Sequence, residues 1–402
     1  MTTLAPAEET EIAEAISEAR ARGTPILLAG HATKDGLLRP VQAETTLSLK
    51  NHEGVTLYAP NELIVSARAG TPIAEIEALV AAKGQQIIAE PPDLSALLGT
   101  EGGQTLGGVV ACNLSGPRRV TAGAMRDHVM GLRAVNGAGE VIRAGGRVLK
   151  NVTGLDLCKL LTGSFGTLAA ITEITLKVLP AAETMATLVL PGIDATRGVA
   201  ALSAALGSPF GVSAAAWLPA AQAARVSELA PFAAAVALVR VEDFRASVAY
   251  RAGRLRETLA EFAPAEIIAD VPSHALWRAV RDAAPLGVAG REEAVWRVSV
   301  RPSAGPAIVA AVESLGGRCF LDWGGGLVWI VADASAAHHR AITGAARAAG
   351  GVWWLMHAPA ALRASLDVVP PEPAPLAAIA RRVKAAFDPA FILNPGRIHA
   401  GL

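Results

Sequence analysis

The stretch TLGGVVACNLSG, from Thr105 to Gly116, is the most informative part of this sequence. It belongs to a longer segment, residues 91–117, that is rich in glycine and nearly uncharged. Glycine backbones can bring their N–H groups close to an anion such as a pyrophosphate, although they also permit tight packing of small residues. Three polar side chains in the stretch, Thr105, Asn113 and Ser115, offer neutral hydrogen bonds, and they favour a binding role over packing alone.

Further short motifs lie on both sides of this stretch. Upstream, an apolar strand is predicted over residues 25–29 and runs into the polar turn GHATKDG at 30–36, an arrangement found at the start of many nucleotide sites. Downstream, the chain carries AGAMRDHV at 122–129, KNVTGLDL at 150–157, GSFGTL at 163–168, ITE at 171–173 and DPAFILNPGR at 388–397.

Composition and missing motifs exclude several classes of function. The 402 residues carry 36 Lys+Arg against 36 Asp+Glu, so no net field attracts nucleic acid. The sequence contains no G-x-G-x-x-G opening a helix, no Gly-Lys of a P-loop, no H-E-x-x-H and no G-x-S-x-G. Its three cysteines are too few to hold an iron–sulfur cluster alone. The chemistry is therefore expected to come from a bound cofactor.

The distribution of residue types predicts a domain boundary at Pro180. Six of the seven lysines precede it, and all seven tryptophans follow it. We predict three parts: 1–180, a cap over 181–375, and a C-terminal segment over 376–402 that returns to the first. The cap sequence indicates two copies of strand-helix-strand-strand-helix-strand, at about 187–269 and 295–357, each in the order of a ferredoxin-like unit.

Local signals predict the elements. Before Pro180 we expect a helix over 8–22, a helix capped by Thr71 with Pro72 at its first position and ending at Gly84, a hairpin over 132–143, a helix over 156–162 and a strand over 168–179. The uncharged run 198–224 is broken by Gly-Ser-Pro at 207–209 and indicates a helix, a turn and a strand rather than a membrane span. The tryptophans are expected in the core, and His338-His339 on the surface.

Together, the four motif blocks from Thr105 to Pro180 resemble the FAD-binding domain of the vanillyl-alcohol oxidase / p-cresol methylhydroxylase superfamily. The resemblance implies an α+β fold: a PCMH-type FAD-binding domain of two subdomains, followed by an α+β cap of two ferredoxin-like units. It also implies that FAD is the cofactor. The residues implied to bind FAD are Gly30, His31, Ala32, Thr33, Lys34, Pro91, Thr105, Gly107, Gly108, Ala111, Asn113, Ser115, Gly116, Arg126, Asp127, Gly163, Ser164, Gly166, Ile171 and Asn394.

Two departures from the superfamily pattern affect the expected chemistry. Ala29 and His31 replace glycines of the pyrophosphate loop, and the spacing after His31 differs from that of relatives with a flavin bound covalently to histidine, so we predict non-covalent FAD. The H-x-G-D-G-N-x-H motif of larger 2-hydroxy-acid dehydrogenases is absent. Without it, no general base for C–H oxidation is evident in the sequence.

Within the superfamily, residues 150–180 most resemble the FAD-binding subunits of bacterial glycolate oxidase, although Leu155 stands where relatives commonly have tyrosine. The resemblance implies a heteromeric FAD-dependent oxidoreductase acting on a small 2-hydroxy acid, with a catalytic flavoprotein subunit and an iron–sulfur subunit as partners. We expect it in the cytoplasm, because no export signal is evident, or peripherally at the inner membrane through those partners. Two alternatives are a stand-alone FAD oxidase, with Arg278, Arg281 and Arg297 as candidate ligands in the cap, and a structural subunit that has lost the flavin.

Overall fold

The computed structural model describes residues 2–146 and 154–402. We call the part up to Pro180 the N-terminal region. Its strands are β1 (Thr2–Leu4), β2 (Ile26–Ala29), β3 (Thr45–Ser48), β4 (Val55–Ala59), β5 (Ile64–Arg68), β6 (Gln85–Gln86), β7 (Val129–Asn136), β8 (Val141–Gly145), β9 (Ala169–Lys177) and β10 (Leu179–Pro180). Its helices are α1 (Glu9–Arg22), α2 (Ile73–Ala81), α3 (Ser95–Leu98), α4 (Leu106–Cys112), α5 (Arg119–Ala122), α6 (Met125–His128) and α7 (Leu157–Leu161).

We call the part from β11 to α14 the cap region. Its strands are β11 (Thr184–Pro191), β12 (Ala214–Leu218), β13 (Val236–Asp243), β14 (Glu266–Ala269), β15 (Glu293–Ser299), β16 (Arg318–Asp322), β17 (Leu327–Asp333) and β18 (Val352–His357). Its helices are α8 (Ala195–Leu206), α9 (Ala220–Ala223), α10 (Arg245–Leu259), α11 (Asp270–Arg281), α12 (Gly305–Ser314), α13 (Ala336–Ala348) and α14 (Ala360–Ser365), and α15 (Ala374–Phe387) follows the cap region.

The N-terminal region is built on two principal sheets. One is a parallel sheet of three strands in the order β1-β3-β2, and the other is an antiparallel sheet of five strands in the order β4-β5-β9-β7-β8. The helix α4 packs against β9 and β5 with its small residues: a Cβ added at Gly107 would lie 2.8 Å from the Cβ of Ala69. The helix can therefore approach the sheet closely only because this position has no side chain.

The cap region is one antiparallel sheet of eight strands in the order β14-β11-β13-β12-β16-β17-β15-β18. Each half repeats the succession strand-helix-strand-strand-helix-strand, and within each half the first and third strands are central. The halves join where Trp217 of β12 pairs with Leu321 of β16. Side chains alternate between the two faces: Trp296 of β15 meets His339 of α13, so its neighbour Arg297 projects from the opposite face.

Buried ion pairs connect the cap region to the N-terminal region. Arg240 of β13 is fully buried and binds Glu90 with two 2.9 Å hydrogen bonds, and Arg118 binds Glu242 with two 2.6 Å bonds. Arg118 also lies 2.8 Å from Glu90. Burial would raise the pKa of Glu242, but Arg240 and Arg118 outweigh it and lower that pKa to about 2. All four groups therefore stay charged and hold the two regions together.

The buried apolar side chains form two clusters. One lies within the N-terminal region and includes Ile392 and Leu393 from the end of the chain. The other fills the cap region but also takes in Leu37, Leu38 and Leu94 from N-terminal loops. The three-part division at residues 180 and 375 stays a prediction, since these loops belong to the first part by sequence and to the cap core by packing.

Several local predictions need correction. Thr71 does not cap α2: its hydroxyl donates to the carbonyl of Arg68 at 2.7 Å, and Pro72 is the residue that precedes the helix. His339 is buried rather than at the surface, because its ring lies under the sheet and accepts from Trp296. The tryptophans, by contrast, are buried or half-buried as expected, and all of them lie in the described part. Residues 150–153 of the KNVTGLDL motif lie outside the described residues.

The C-terminal segment packs against the N-terminal region through a buried lysine. The ammonium of Lys384 donates to Asp388 at 2.6 Å and to the carbonyls of Thr167 and Leu393 at 2.6 and 2.8 Å. Asp388 is fully buried and also accepts from the backbone of Ile392 and Leu393.

Among the described residues, the helices are all too short or too polar to span a membrane.

Replacing Lys384 with methionine should therefore destabilise the protein strongly. The change leaves the Asp388 carboxylate buried without a cation, which costs about 3–5 kcal/mol. The control is Lys159→Met, which removes an exposed lysine whose pair with Asp156 contributes at most about 1 kcal/mol. Denaturant unfolding of both variants measures the difference, and equal stabilities would contradict the role given to Lys384.

Candidate functional site

A cleft lies between the loop after β2, the helix α4, the strand β9 and the C-terminal segment. Eleven of the side chains or backbones that line it were predicted from the sequence: Gly30, His31, Ala32, Thr33, Lys34, Thr105, Gly108, Ala111, Gly166, Ile171 and Asn394. The tertiary structure thus brings five separate parts of the sequence to one cavity.

The loop over residues 30–34 presents free backbone donors to this cleft. Among the described residues, none of its five N–H groups has a protein acceptor. Ala32 has a φ of 60°, a left-handed conformation that non-glycine residues seldom adopt. When successive residues alternate between right- and left-handed backbone conformations, their N–H groups form a concave site for anions. The donor set fits the pyrophosphate of a dinucleotide.

The glycines of α4 do not supply such donors. The N–H of Gly107 donates to the carbonyl of Ala69 at 2.8 Å, and that of Gly108 donates to the hydroxyl of Thr105 at 3.1 Å. The expectation that these two N–H groups bind an anion is wrong, because Thr105 caps the helix through one of them and the carbonyl of Ala69, just after β5, accepts from the other. Gly108 still lines the cleft: a Cβ there would lie 3.9 Å from the Lys34 side chain.

Two cations that the loop and the C-terminal segment supply face the cleft. Lys34 donates from its ammonium to Gln104 at 2.8 Å, and Arg397 donates to the carbonyl of Lys34 at 2.7 Å. Burial lowers the pKa of both cations and raises the pKa of Asp35, the carboxyl that also lines the cleft. Each shift arises because the group is shielded from water. Water would therefore compete little with a bound anion for the two cations.

The other predicted residues surround the cleft without lining it. The Asn113 side chain accepts from the backbone of Arg126, Ser115 accepts from Met125, and Gly116 donates to Ala89, so these residues shape the loop after α4. Asp127 caps α6 through the backbone of Ala124. Pro91, Gly163 and Ser164 do not line the cleft either, and the buried Ser164 hydroxyl has no partner among the described residues.

Asn394 joins the end of the chain to the cleft. Its side chain accepts from the backbone of Leu28 at 2.8 Å and donates to the carbonyl of Phe165 at 2.7 Å. It therefore ties the strand before the 30–34 loop to the GSFGTL motif, which explains why residues so far apart in sequence share one site.

Some candidate functional residues were not predicted from the sequence. Arg397, Asp35 and Cys112 line the cleft, and burial raises the pKa of Cys112 to about 11, so this thiol is not a reactive thiolate. Arg397 directly follows the Asn-Pro-Gly motif, and this position in the sequence could have marked it as a residue of the cleft. Asp322 in the cap region is buried, and burial raises the pKa of its carboxyl to about 7. Nothing in the local sequence distinguishes Asp322 from a surface aspartate.

We predict that Gly108→Glu reduces FAD content about tenfold or more, because a carboxylate placed beside Lys34 would repel the pyrophosphate and fill the space that it needs. The control is Gly344→Glu, at an exposed position of α13 where an added Cβ meets no atom within 4 Å. Flavin absorbance of the purified variants measures the effect, with circular dichroism to verify folding. A folded Gly108→Glu protein with full flavin content would refute the site.

We also predict that the FAD is not covalently attached. The Nδ1 of His31 lies 2.7 Å from the carbonyl oxygen of Gly103 and donates to it, which holds the ring by a hydrogen bond to the protein. Acid precipitation should release the yellow colour into the supernatant. Colour that stays with the pellet in the wild type and is lost in His31→Ala would contradict this prediction.

Comparisons with known proteins identify relatives of this chain. Residues 2–145 match the family described as FAD binding domain. The chain is 35% identical over 389 residues, 97% of both chains, to the glycolate oxidase subunit GlcE of Escherichia coli. It is 29% identical to a D-lactate dehydrogenase of Archaeoglobus fulgidus over 46% of this chain and 40% of that protein.

Solved structures share the fold at low sequence identity. A p-cresol methylhydroxylase superposes with a TM-score of 0.73 at 12% identity, covering 99% of this chain and 88% of that one. An alkyldihydroxyacetonephosphate synthase does so with a TM-score of 0.72 at 16% identity, covering 98% of this chain and 76% of that one. The expected PCMH-type α+β fold and the FAD cofactor are confirmed. The chain belongs to the GlcE family of FAD-dependent oxidoreductases that act on CH–OH donors.

Proposed function

We propose that this chain is the FAD-binding subunit of a glycolate oxidase or dehydrogenase complex that converts glycolate to glyoxylate. The observation that carries the proposal is the 35% identity to the GlcE subunit over 97% of both chains. A second relative, the glycolate oxidase subunit GlcD of Bacillus subtilis, is 31% identical over 46% of this chain. Two subunit types of one activity thus resemble this chain, which supports a complex with a catalytic flavoprotein partner.

The cofactor site is proposed as the cleft described above. The loop 30–34 would hold the pyrophosphate through its N–H groups, with Lys34 and Arg397 as the nearest cations. The remaining residues predicted from the sequence would shape this site from α4 to Asn394. Bound FAD supplies an acceptor for the two electrons of a C–H bond. The protein supplies orientation and excludes water, since the cleft lies between buried apolar residues.

The electrons are proposed to pass to an iron–sulfur subunit. The three cysteines are buried and far apart in sequence, and among the described residues no group of three metal-ligating side chains is present. A cluster would therefore have to lie on a partner. We place the protein in the cytoplasm, or peripherally at the inner membrane through these partners.

One observation favours a stand-alone FAD oxidase as the second candidate. The cap region holds a buried carboxyl, Asp322, with a pKa near neutrality, and a general base needs such a value. The other alternative, a structural subunit without flavin, is disfavoured by the 30–34 loop, because its five N–H groups have no protein acceptor among the described residues and suit an anionic ligand.

The test compares the single chain with the reconstituted complex. We expect the purified, FAD-loaded chain to show negligible glycolate:dye activity, and activity to appear when it is co-expressed with the catalytic flavoprotein and iron–sulfur subunits. The same complex carrying Gly108→Glu shows whether this subunit's FAD takes part in turnover, and Gly344→Glu is the matched control. Robust turnover of glycolate by the single chain would favour the stand-alone oxidase.

A further inference from the structure

The second half of the cap sheet presents an unusual arginine on the face opposite its helices. Arg297 of β15 pairs in register with Trp329 of β17 and with Trp354 of β18. Trp354 packs against Phe165, with 5.4 Å between ring centroids, and Phe165 lines the cofactor cleft. This face of the cap therefore lies next to the cofactor site.

The buried arginines of the described residues have acceptors for their guanidinium groups. Arg240 and Arg118 bind glutamates, Arg363 donates to the carbonyls of Ala358 and Leu38, and Arg397 donates to the carbonyl of Lys34. Arg297 differs: its Nε is buried without a partner, and among the described residues its guanidinium makes no hydrogen bond and has no carboxylate within 4 Å. The residue as a whole is half-buried, and its buried Nε carries a desolvation cost that no acceptor among the described residues offsets.

Aromatic rings hold the Arg297 guanidinium in place. Its Cζ lies 4.8 Å from the ring centroid of Trp329 and 5.4 Å from that of Trp323. Contacts with ring faces stabilise a cation and leave the N–H edges of the planar group free. Those edges are what binds a planar, bidentate acceptor.

The local charge favours an anionic ligand. Arg119 has its Cζ 4.6 Å from the same Trp323 ring, and neither it nor Arg297 forms an ion pair among the described residues. Burial and, to a smaller extent, Arg119 lower the pKa of Arg297 to about 10, against the opposing effect of Asp322. Asp322 does not fully compensate, because burial raises its own pKa to about 7 and its Oδ1 accepts from the backbone of Trp323.

We propose that the Arg297 guanidinium, held against Trp323 and Trp329, binds the carboxylate of a small monocarboxylic acid. The Arg297 guanidinium is one planar donor group between two aromatic rings, and such a group can bind the two oxygens of a carboxylate side by side. Arg119, whose Cζ lies 4.6 Å from the Trp323 ring centroid, adds positive potential nearby. The inference deepens the proposed function and rests on it for the choice of glycolate as probe, since glycolate is such an acid.

The test is isothermal titration calorimetry of the FAD-loaded full chain with glycolate. We expect saturable binding that Arg297→Gln weakens about tenfold or more, as loss of a charge-assisted bidentate pair requires. Arg119→Gln should weaken it less. Arg256→Gln removes an exposed arginine of α10 in the same cap and should leave the affinity unchanged. Unchanged affinity in a folded Arg297→Gln protein would overturn the proposal.

A second arm needs no variant. Glycolamide has the size of glycolate but no charge, so it should not bind or compete. Inorganic phosphate should compete weakly. Binding of glycolamide equal to that of glycolate, or a preference for phosphate, would refute a carboxylate site at Arg297.

Failure of this proposal can be told apart from failure of the proposed function. If the reconstituted complex oxidises glycolate but the FAD-loaded wild-type chain does not bind it in the calorimeter, the Arg297 site is refuted and the proposed function is not. Glycolate binding lost in Arg297→Gln, together with no glycolate activity in the complex, would support the site and refute the function.

Discussion

The structure depends on four charged side chains buried where the cap region meets the N-terminal region. Arg240 has no exposure, yet its guanidinium is satisfied by Glu90, which belongs to the other region. Arg118 and Glu242 complete the group across the same boundary. Buried charges are tolerated only when paired and hydrogen-bonded, so the regions can pack in few other relative positions. The position of the cap over the cofactor cleft follows from that pairing.

The cleft proposed to bind the cofactor is assembled by the end of the chain. Lys384 and Asp388 fix the turn after α15, and Asn394 then reaches β2 and the loop that contains Phe165. Arg397 follows directly and faces the cleft. The last residues of the chain therefore hold the 30–34 loop in a shape that leaves its N–H groups free.

The two proposed sites would bind an anion in different ways. The 30–34 loop offers neutral backbone dipoles, and Lys34 and Arg397 offer charge at the same cleft. In the cap region, Arg297 offers a charged planar group between aromatic rings. Free donors of this kind are costly in an interior, and their concentration on the surfaces around one cleft is what indicates ligands there.

The sequence by itself determined the family, the cofactor and the order of elements, since glycine motifs, strand alternation and caps are local signals. It also placed 11 of the lining residues, because the loop motifs carry them. Only the tertiary structure decided which N–H groups are free: Gly107 and Gly108 lose theirs to Ala69 and Thr105. It likewise decided that Arg297 has no acceptor among the described residues and that Asp322 is buried, because pairing and burial arise from strands that are distant in sequence and meet only in the folded sheet.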